Sequence, residues 1–184
     1  MIRTNGATIR ATLKIMTIAG VLTLSACAAL EQPKTREEFT KFVVDSPKMM
    51  LTDTYTVNRR FEDVVQSLDR RWQECYRITK SMSSSSGSVT TMQYRDTYIP
   101  FTHRISNSRA ELTLQTSTIH MKMVNNVPTG GDYIMALDID RLSANKTKLT
   151  WYSPALLGRW KEHWARNKKW GEGSNIGCND EQEK

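Results

Sequence analysis

From Phe61 onward, apolar side chains return every third or fourth residue: Phe61, Val64, Val65, Leu68, Trp72, Cys75 and Tyr76. Arg59, Arg60, Glu62, Asp63, Asp69, Arg70, Arg71 and Glu74 take the positions between. That spacing is one face of a 3.6-residue helix, and such a stripe needs a surface to lie on. Asn58 stands where an N-cap belongs, with Glu62 and Asp63 in the first turn, where the helix dipole favours negative charge. A shorter helix is predicted over 36–44. Thr35 and Glu38 have capping-box spacing, Phe39, Phe42 and Val43 follow at helical intervals, and Pro47 closes the segment. Residues 49–57, rich in Thr with Tyr and Val, read as extended.

After residue 76 the period becomes two. Segments 77–82 and 89–98 are candidate strands on either side of a serine-rich turn at 83–88. Ile99 to Ser108, interrupted by Pro100, reads as a connection. Ala110, Leu112 and Leu114 alternate with polar residues, and Ile119, Met121 and Met123 alternate in the opposite parity. One straight strand cannot aim both sets at one face, so a β-bulge is expected at Thr116 to Thr118. Val127 to Gly131 reads as a turn. Tyr133, Met135, Leu137 and Ile139 line one strand face, and Thr147, Leu149 and Trp151 another, across a short connection at 143–146. Ser153 and Pro154 have the form of a helix start. Leu156, Leu157, Trp160 and Trp164 share a face of that last helix, which Gly171 and Gly173 end.

The order is short helix, strand, long helix, four or five antiparallel strands, long helix. It predicts an α+β two-layer domain: an antiparallel sheet of four to six strands with two amphipathic helices on one face. The pattern is similar to helix-grip and TATA-box-binding-like folds, in which a curved sheet holds a long C-terminal helix.

The N-terminal segment follows a different logic. Arg3, Arg10 and Lys14 come with no acidic residue, a short apolar run covers 15–24, and the run ends in Leu24-Ser25-Ala26-Cys27. A positive start, a short apolar stretch and small residues before a cut mark a secretory signal. Those four residues resemble the lipobox of bacterial lipoproteins. The resemblance implies loss of 1–26, a diacylglycerol on the Cys27 sulfur and, usually, a further acyl chain on the new amine. Two or more chains anchor a protein stably, where one does not. Ala28, where an Asp would signal retention, resembles the outer-membrane sorting pattern of enteric-type lipoproteins. The expected organisation is a signal peptide at 1–26, a tether at 27–34, one α+β domain at 35–178 and a charged tail at 179–184. The expected location is the periplasmic face of the outer membrane. Trp170-Gly171 with Cys178 shortly after also resembles the ending of small uncharacterised Gram-negative envelope lipoproteins, and no activity comes with that resemblance.

Assigning the leader changes the charge. The formal +7 of the whole chain includes Arg3, Arg10 and Lys14, so the remainder carries +4. That balance gives no footing for nucleic-acid binding. The 184 residues suffice for one modest domain with a real core. Once Cys27 bears lipid, Cys75 and Cys178 remain, and in an oxidising compartment they read as one disulfide, the alternative being two buried thiols.

Catalytic signals are absent from the pattern. His103, His120 and His163 stand far apart, with no second ligand at metal spacing. In His120-Met121-Lys122-Met123 the two methionines share one strand face and the histidine takes the other, so core Met beside a surface His outweighs a copper site. Asp138 and Asp140 lie on the strand face opposite the apolar stripe and read as solvated. No Ser-His-Asp trio, phosphate loop or nucleophile elbow is recognisable. No enzyme, metal or cofactor is therefore expected. Arg159, Trp160, Lys161, Trp164, Lys168 and Lys169 put cations and indoles together on the last helix, a candidate surface for a membrane or a ligand. The simpler account is that Trp160 and Trp164 pack on the sheet while the cations stay wet. Two functions follow: a lipid-anchored envelope protein that binds or scaffolds, or a carrier of a hydrophobic or lipid ligand between sheet and helix. A carrier demands a cavity of a few hundred Å3 at that junction.

Overall fold

The protein is described by a computed structural model, over residues 33–86, 89–118, 130–155 and 159–178; of these, the side chains of 81–94, 118 and 159 are outside the description. The polypeptide from Pro33 onward forms one unit. Its elements are α1 (Arg36–Asp45), β1 (Met50–Val57), α2 (Phe61–Tyr76), β2 (Ile78–Ser86), β3 (Val89–Arg104), β4 (Arg109–Thr118), β5 (Asp132–Ser143), β6 (Lys146–Pro154) and α3 (Arg159–Gly171). The six strands form a single sheet in the order β1-β6-β5-β4-β3-β2, antiparallel throughout. This is the α+β architecture the pattern predicts, with a strand-helix-strands-helix order.

Alternation along the central strands decides what lies on each face. Ala110, Leu112 and Leu114 of β4 stand opposite Ile139, Leu137 and Met135 of β5. Ile139 and Leu137 in turn meet Leu149 and Trp151 of β6. All are buried, and they meet Phe61, Val64, Leu68, Trp72 and Tyr76 of α2 and Trp164 and Trp170 of α3. Trp72 lies edge-on to Trp151, Trp151 stacks on Trp164 at 5.5 Å, and Tyr76 meets Trp170 edge-on at 5.9 Å. Rigid aromatics of this size dominate core energetics by area and by ring geometry. The α3 C-terminus is held by side chains that donate to its orphan carbonyls: Ser67 Oγ donates to Trp170 O and Arg59 to Gly171 O. A Cβ at Gly171 would come within 2.9 Å of Leu149, so glycine lets this end settle on β6.

The first helix goes elsewhere. The Thr35 side chain accepts from the Glu38 amide and the Glu38 carboxylate accepts from the Thr35 amide, the predicted capping box. Phe39 and Val43 pack on Ala136, Tyr133 and Tyr152, on the sheet face opposite α2 and α3. Tyr133 therefore leaves the stripe assigned to it. Between Leu114/Met135 and Gln115/Tyr133 the pairing slips by one residue, because β5 carries the extra Ile134. The irregularity lies there and not at Thr116 to Thr118, since β4 stays in register with β3 through Thr118. Ile119, Met121 and Met123 lie outside the described residues.

Other expectations are corrected by pairing. β2 continues to Ser86, so the serines lengthen a strand instead of forming a long turn. β3 runs through Pro100, which faces Leu114 across the ladder. The β2 ladder has ended at Tyr98, so no strand needs the amide that Pro100 lacks. The Pro100 carbonyl on that side accepts from Gln73. Ser153 belongs to β6, buried and paired with Leu51, and its hydroxyl accepts from the Trp151 indole; α3 begins only at Arg159. Leu156 and Leu157 lie outside the described residues. The N-cap of α2 is Arg60, without a side-chain cap bond, so Asn58 does not serve. Among the described residues no helix is long and apolar enough to cross a membrane.

Candidate functional site

A cavity of about 240 Å3 lies where α2 ends and α3 begins, over the β2–β5 side of the sheet. Its walls are Tyr76, Ile78, Lys80, Tyr98, Leu114, Ile134, Met135, Trp160 and His163. The slip in β5 helps to shape it, since Ile134 and Met135, adjacent in sequence, both reach the wall. Register does the rest: Ile78 faces Tyr98 across β2–β3, and Leu114 faces Met135 across β4–β5. Ile78 and Lys80 are exposed, so the cavity meets solvent beside the edge strand β2.

One wall is a polar network buried between the two helices. The Trp72 indole donates to Asn167 Oδ1 at 2.6 Å. Asn167 Nδ2 donates to the Tyr76 hydroxyl at 3.1 Å and to the His163 carbonyl at 2.7 Å. Tyr76 Oη and His163 Nδ1 are 3.0 Å apart. With its oxygen accepting from Asn167, the Tyr76 hydroxyl is placed to donate to His163 Nδ1. Burial holds the Tyr76 hydroxyl well above its ordinary pKa, against the smaller lowering effect of Asn167. It stays a donor at any physiological pH. Trp160 and His163, one helical turn apart, have ring centroids 5.2 Å apart at the same wall.

The cation-indole cluster predicted on the last helix divides. Trp160 lines the cavity, and His163 joins it there. Trp164 is buried and donates to Asp53 of β1. Lys168 lies over the Tyr55 and Trp164 rings, at 5.5 and 5.2 Å. Lys161 and Lys169 are exposed, and the Arg159 side chain lies outside the description. Cys75 and Cys178 are joined, with an S–S distance of 2.06 Å, which ties the end of α2 to the segment after α3. Cys27 and His120 lie outside the described residues. His103 is exposed on β3. Among the described residues no three His, Cys, Asp or Glu side chains gather as a metal would require.

Asp138 departs from expectation. It is buried beneath α1, where Arg36 reaches it and pairs with Glu111 at 3.2 Å, while Arg109 approaches both acids. Asp140 is half-buried between Arg109 and Lys148. Strand alternation placed these acids off the apolar stripe correctly, but not the helix that covers them. Burial lowers the Arg36 pKa, and Glu111 opposes that shift. The cluster is a set of compensated charges that docks α1, and each acid is committed to an arginine or lysine.

Sequence reading missed Lys80, Tyr98, Ile134 and Asn167 as parts of this region. Only Asn167 left a trace, being a polar residue four after His163 and three after Trp164. The others come together through strand pairing.

No protein-family model matches the chain, and no curated protein does. Among solved structures it is similar to a START superfamily protein from Mycobacterium smegmatis, with 11% identity and a TM-score of 0.36 over 68% of this chain and 95% of that one. A protein from Chromobacterium violaceum is similar at 11% identity and a TM-score of 0.36, over 68% and 96% of the two chains. An uncharacterised protein from Bacillus thuringiensis is similar at 7% identity and a TM-score of 0.33, over 67% and 96%.

Proposed function

We propose that this chain is an envelope lipoprotein that carries a small hydrophobic ligand between its sheet and its two long helices. The observation that carries the ligand reading is the 240 Å3 cavity, walled largely by Ile78, Leu114, Ile134, Met135 and Trp160 with a few polar groups on one side. Apolar walls with a few fixed polar groups are the usual composition of a small-molecule site. The volume falls just below the roughly 300–1,000 Å3 of drug-sized sites, so the ligand is a medium-length chain or a compact ring system. The lipobox at Leu24 to Cys27 supports the anchor, which would hold the cavity near a membrane that can supply such a molecule.

Titration with N-phenyl-1-naphthylamine, a neutral fluorescent probe, tests the carrier. We expect saturable binding of one probe per chain, lost in Ile134→Trp, which fills the cavity from a half-buried position. Absence of saturable binding, or equal binding by the filled variant, would refute it. Metabolic labelling with palmitate tests the anchor: the native chain should be marked and Cys27→Ser should not. Label retained by the serine variant removes the lipid assignment.

A further inference from the structure

The polar groups on the cavity wall are rich in donors. Lys80 offers an ammonium, Trp160 an indole N–H and His163 an imidazole ring, beside the Tyr76 and Tyr98 hydroxyls, while no carboxylate is part of the wall. Trp160 is the decisive member. Its Nε1 is buried and has no acceptor among the described residues, whereas the indoles of Trp72, Trp151, Trp164 and Trp170 each have one. A buried donor left unpaired is costly, and a native chain that keeps one in a cavity wall has a use for it. Two acids on the same sheet face lie outside the wall. Asp96 stands opposite Lys80, and Asp132, whose buried Oδ2 has no donor among the described residues, stands opposite Thr116, one row beyond Leu114.

We infer that the polar end of the ligand is an acceptor oxygen, a carboxylate or a carbonyl, received by the Trp160 indole N–H, with His163 and Lys80 on the same wall. This rests on the carrier reading and names its ligand class: an amphiphile with an acceptor head and an apolar body against Ile78, Leu114, Ile134 and Met135. Amphiphiles whose head only donates, such as alkylammonium ions, are refused, because they leave the indole unpaired and meet other donors.

Calorimetric titration of the full chain with decanoate, 2-decanone and decylamine at pH 7 provides the test. The acceptor-headed probes are expected to bind at least about tenfold more tightly than decylammonium, one charge-assisted or buried hydrogen bond being worth about that factor. Decanoate tighter than decanone identifies the head as an acid, and the reverse identifies a neutral carbonyl. Trp160→Phe keeps an aromatic wall without the N–H. It should reduce the preference for acceptor over ammonium about tenfold while N-phenyl-1-naphthylamine still binds. Decylammonium binding as tightly as the acceptors, or an undiminished preference in Trp160→Phe, overturns the inference while leaving the carrier standing. The same holds if the neutral fluorophore binds and none of the three decyl probes does. Failure of the fluorophore as well brings down the carrier reading itself.

Discussion

The two faces of the sheet hold their helices by opposite means. On one, α2 and α3 press four tryptophans, Phe61 and Leu68 against a continuous apolar sheet, and the indoles of Trp72, Trp164 and Trp170 are tied into directed bonds, that of Trp160 being left for the cavity. On the other, α1 contributes only Phe39 and Val43 to an apolar contact and docks its first residue, Arg36, between Glu111 and Asp138. The first face gains stability in proportion to area removed from water. The second gains position, because a buried ion pair roughly offsets its own desolvation yet punishes any arrangement that separates it. The difference suggests a division of labour. The inner face builds the domain and its cavity, and the outer face fixes how the helix next to the N-terminal segment sits.

The largest effect should come from the inner face. Trp72→Ala removes a fully buried indole and orphans Asn167 Oδ1, and we expect a loss of about 3–5 kcal/mol in denaturant unfolding. A loss under about 1 kcal/mol would mean that this face is not the stabilising one. Opening the bridge by Cys75→Ser with Cys178→Ser comes next. The linked cysteines are 103 residues apart, so the loop is long and the expected loss is about 2–5 kcal/mol. Reducing agent should reproduce it in the native chain and leave the double variant unchanged. On the outer face, Arg36→Met leaves Asp138 and Glu111 sharing the Arg109 cation, with the Tyr152 hydroxyl still donating to Asp138, and should cost about 1–3 kcal/mol. Hydrogen exchange should rise at α1 before it rises at α2. Uniform loosening of both helices would contradict the division.

The smallest effect concerns pH. Arg104 donates to Glu62 at the surface and holds its carboxyl below the ordinary value. A carboxyl with a lower pKa folded than unfolded stabilises above the unfolded value, and loses that contribution as pH falls through the folded one. Glu62→Gln should therefore narrow the stability difference between neutral and acidic pH slightly, as read by thermal melts across that range. A widened difference would show that the pair repels folding, contrary to the geometry.

Patterns with a period were legible along the chain. The stripe from Phe61 to Tyr76 is fixed by local spacing, and so is the capping box at Thr35 and Glu38. The alternation of Ala110, Leu112 and Leu114 told which side of β4 is inside. Misreadings came where local chemistry was overruled by a partner strand. Pro100 reads as a breaker until its β4 partner satisfies one side and the ended β2 ladder excuses the other. Ser153 and Pro154 read as a helix start until β1 pairs with them. Tyr133 reads as core until the extra residue at Ile134 turns it outward.

The sequence by itself determined the element order and the inward faces of the main strands, because each follows from side-chain period. Only the tertiary structure decided that Arg36 would bury Asp138, that α1 would take the far face, and that Trp160, His163, Lys80 and Ile134 would share a cavity. Those cavity residues come from three elements, and their meeting depends on strand register and a one-residue slip. No local pattern encodes such long-range pairings.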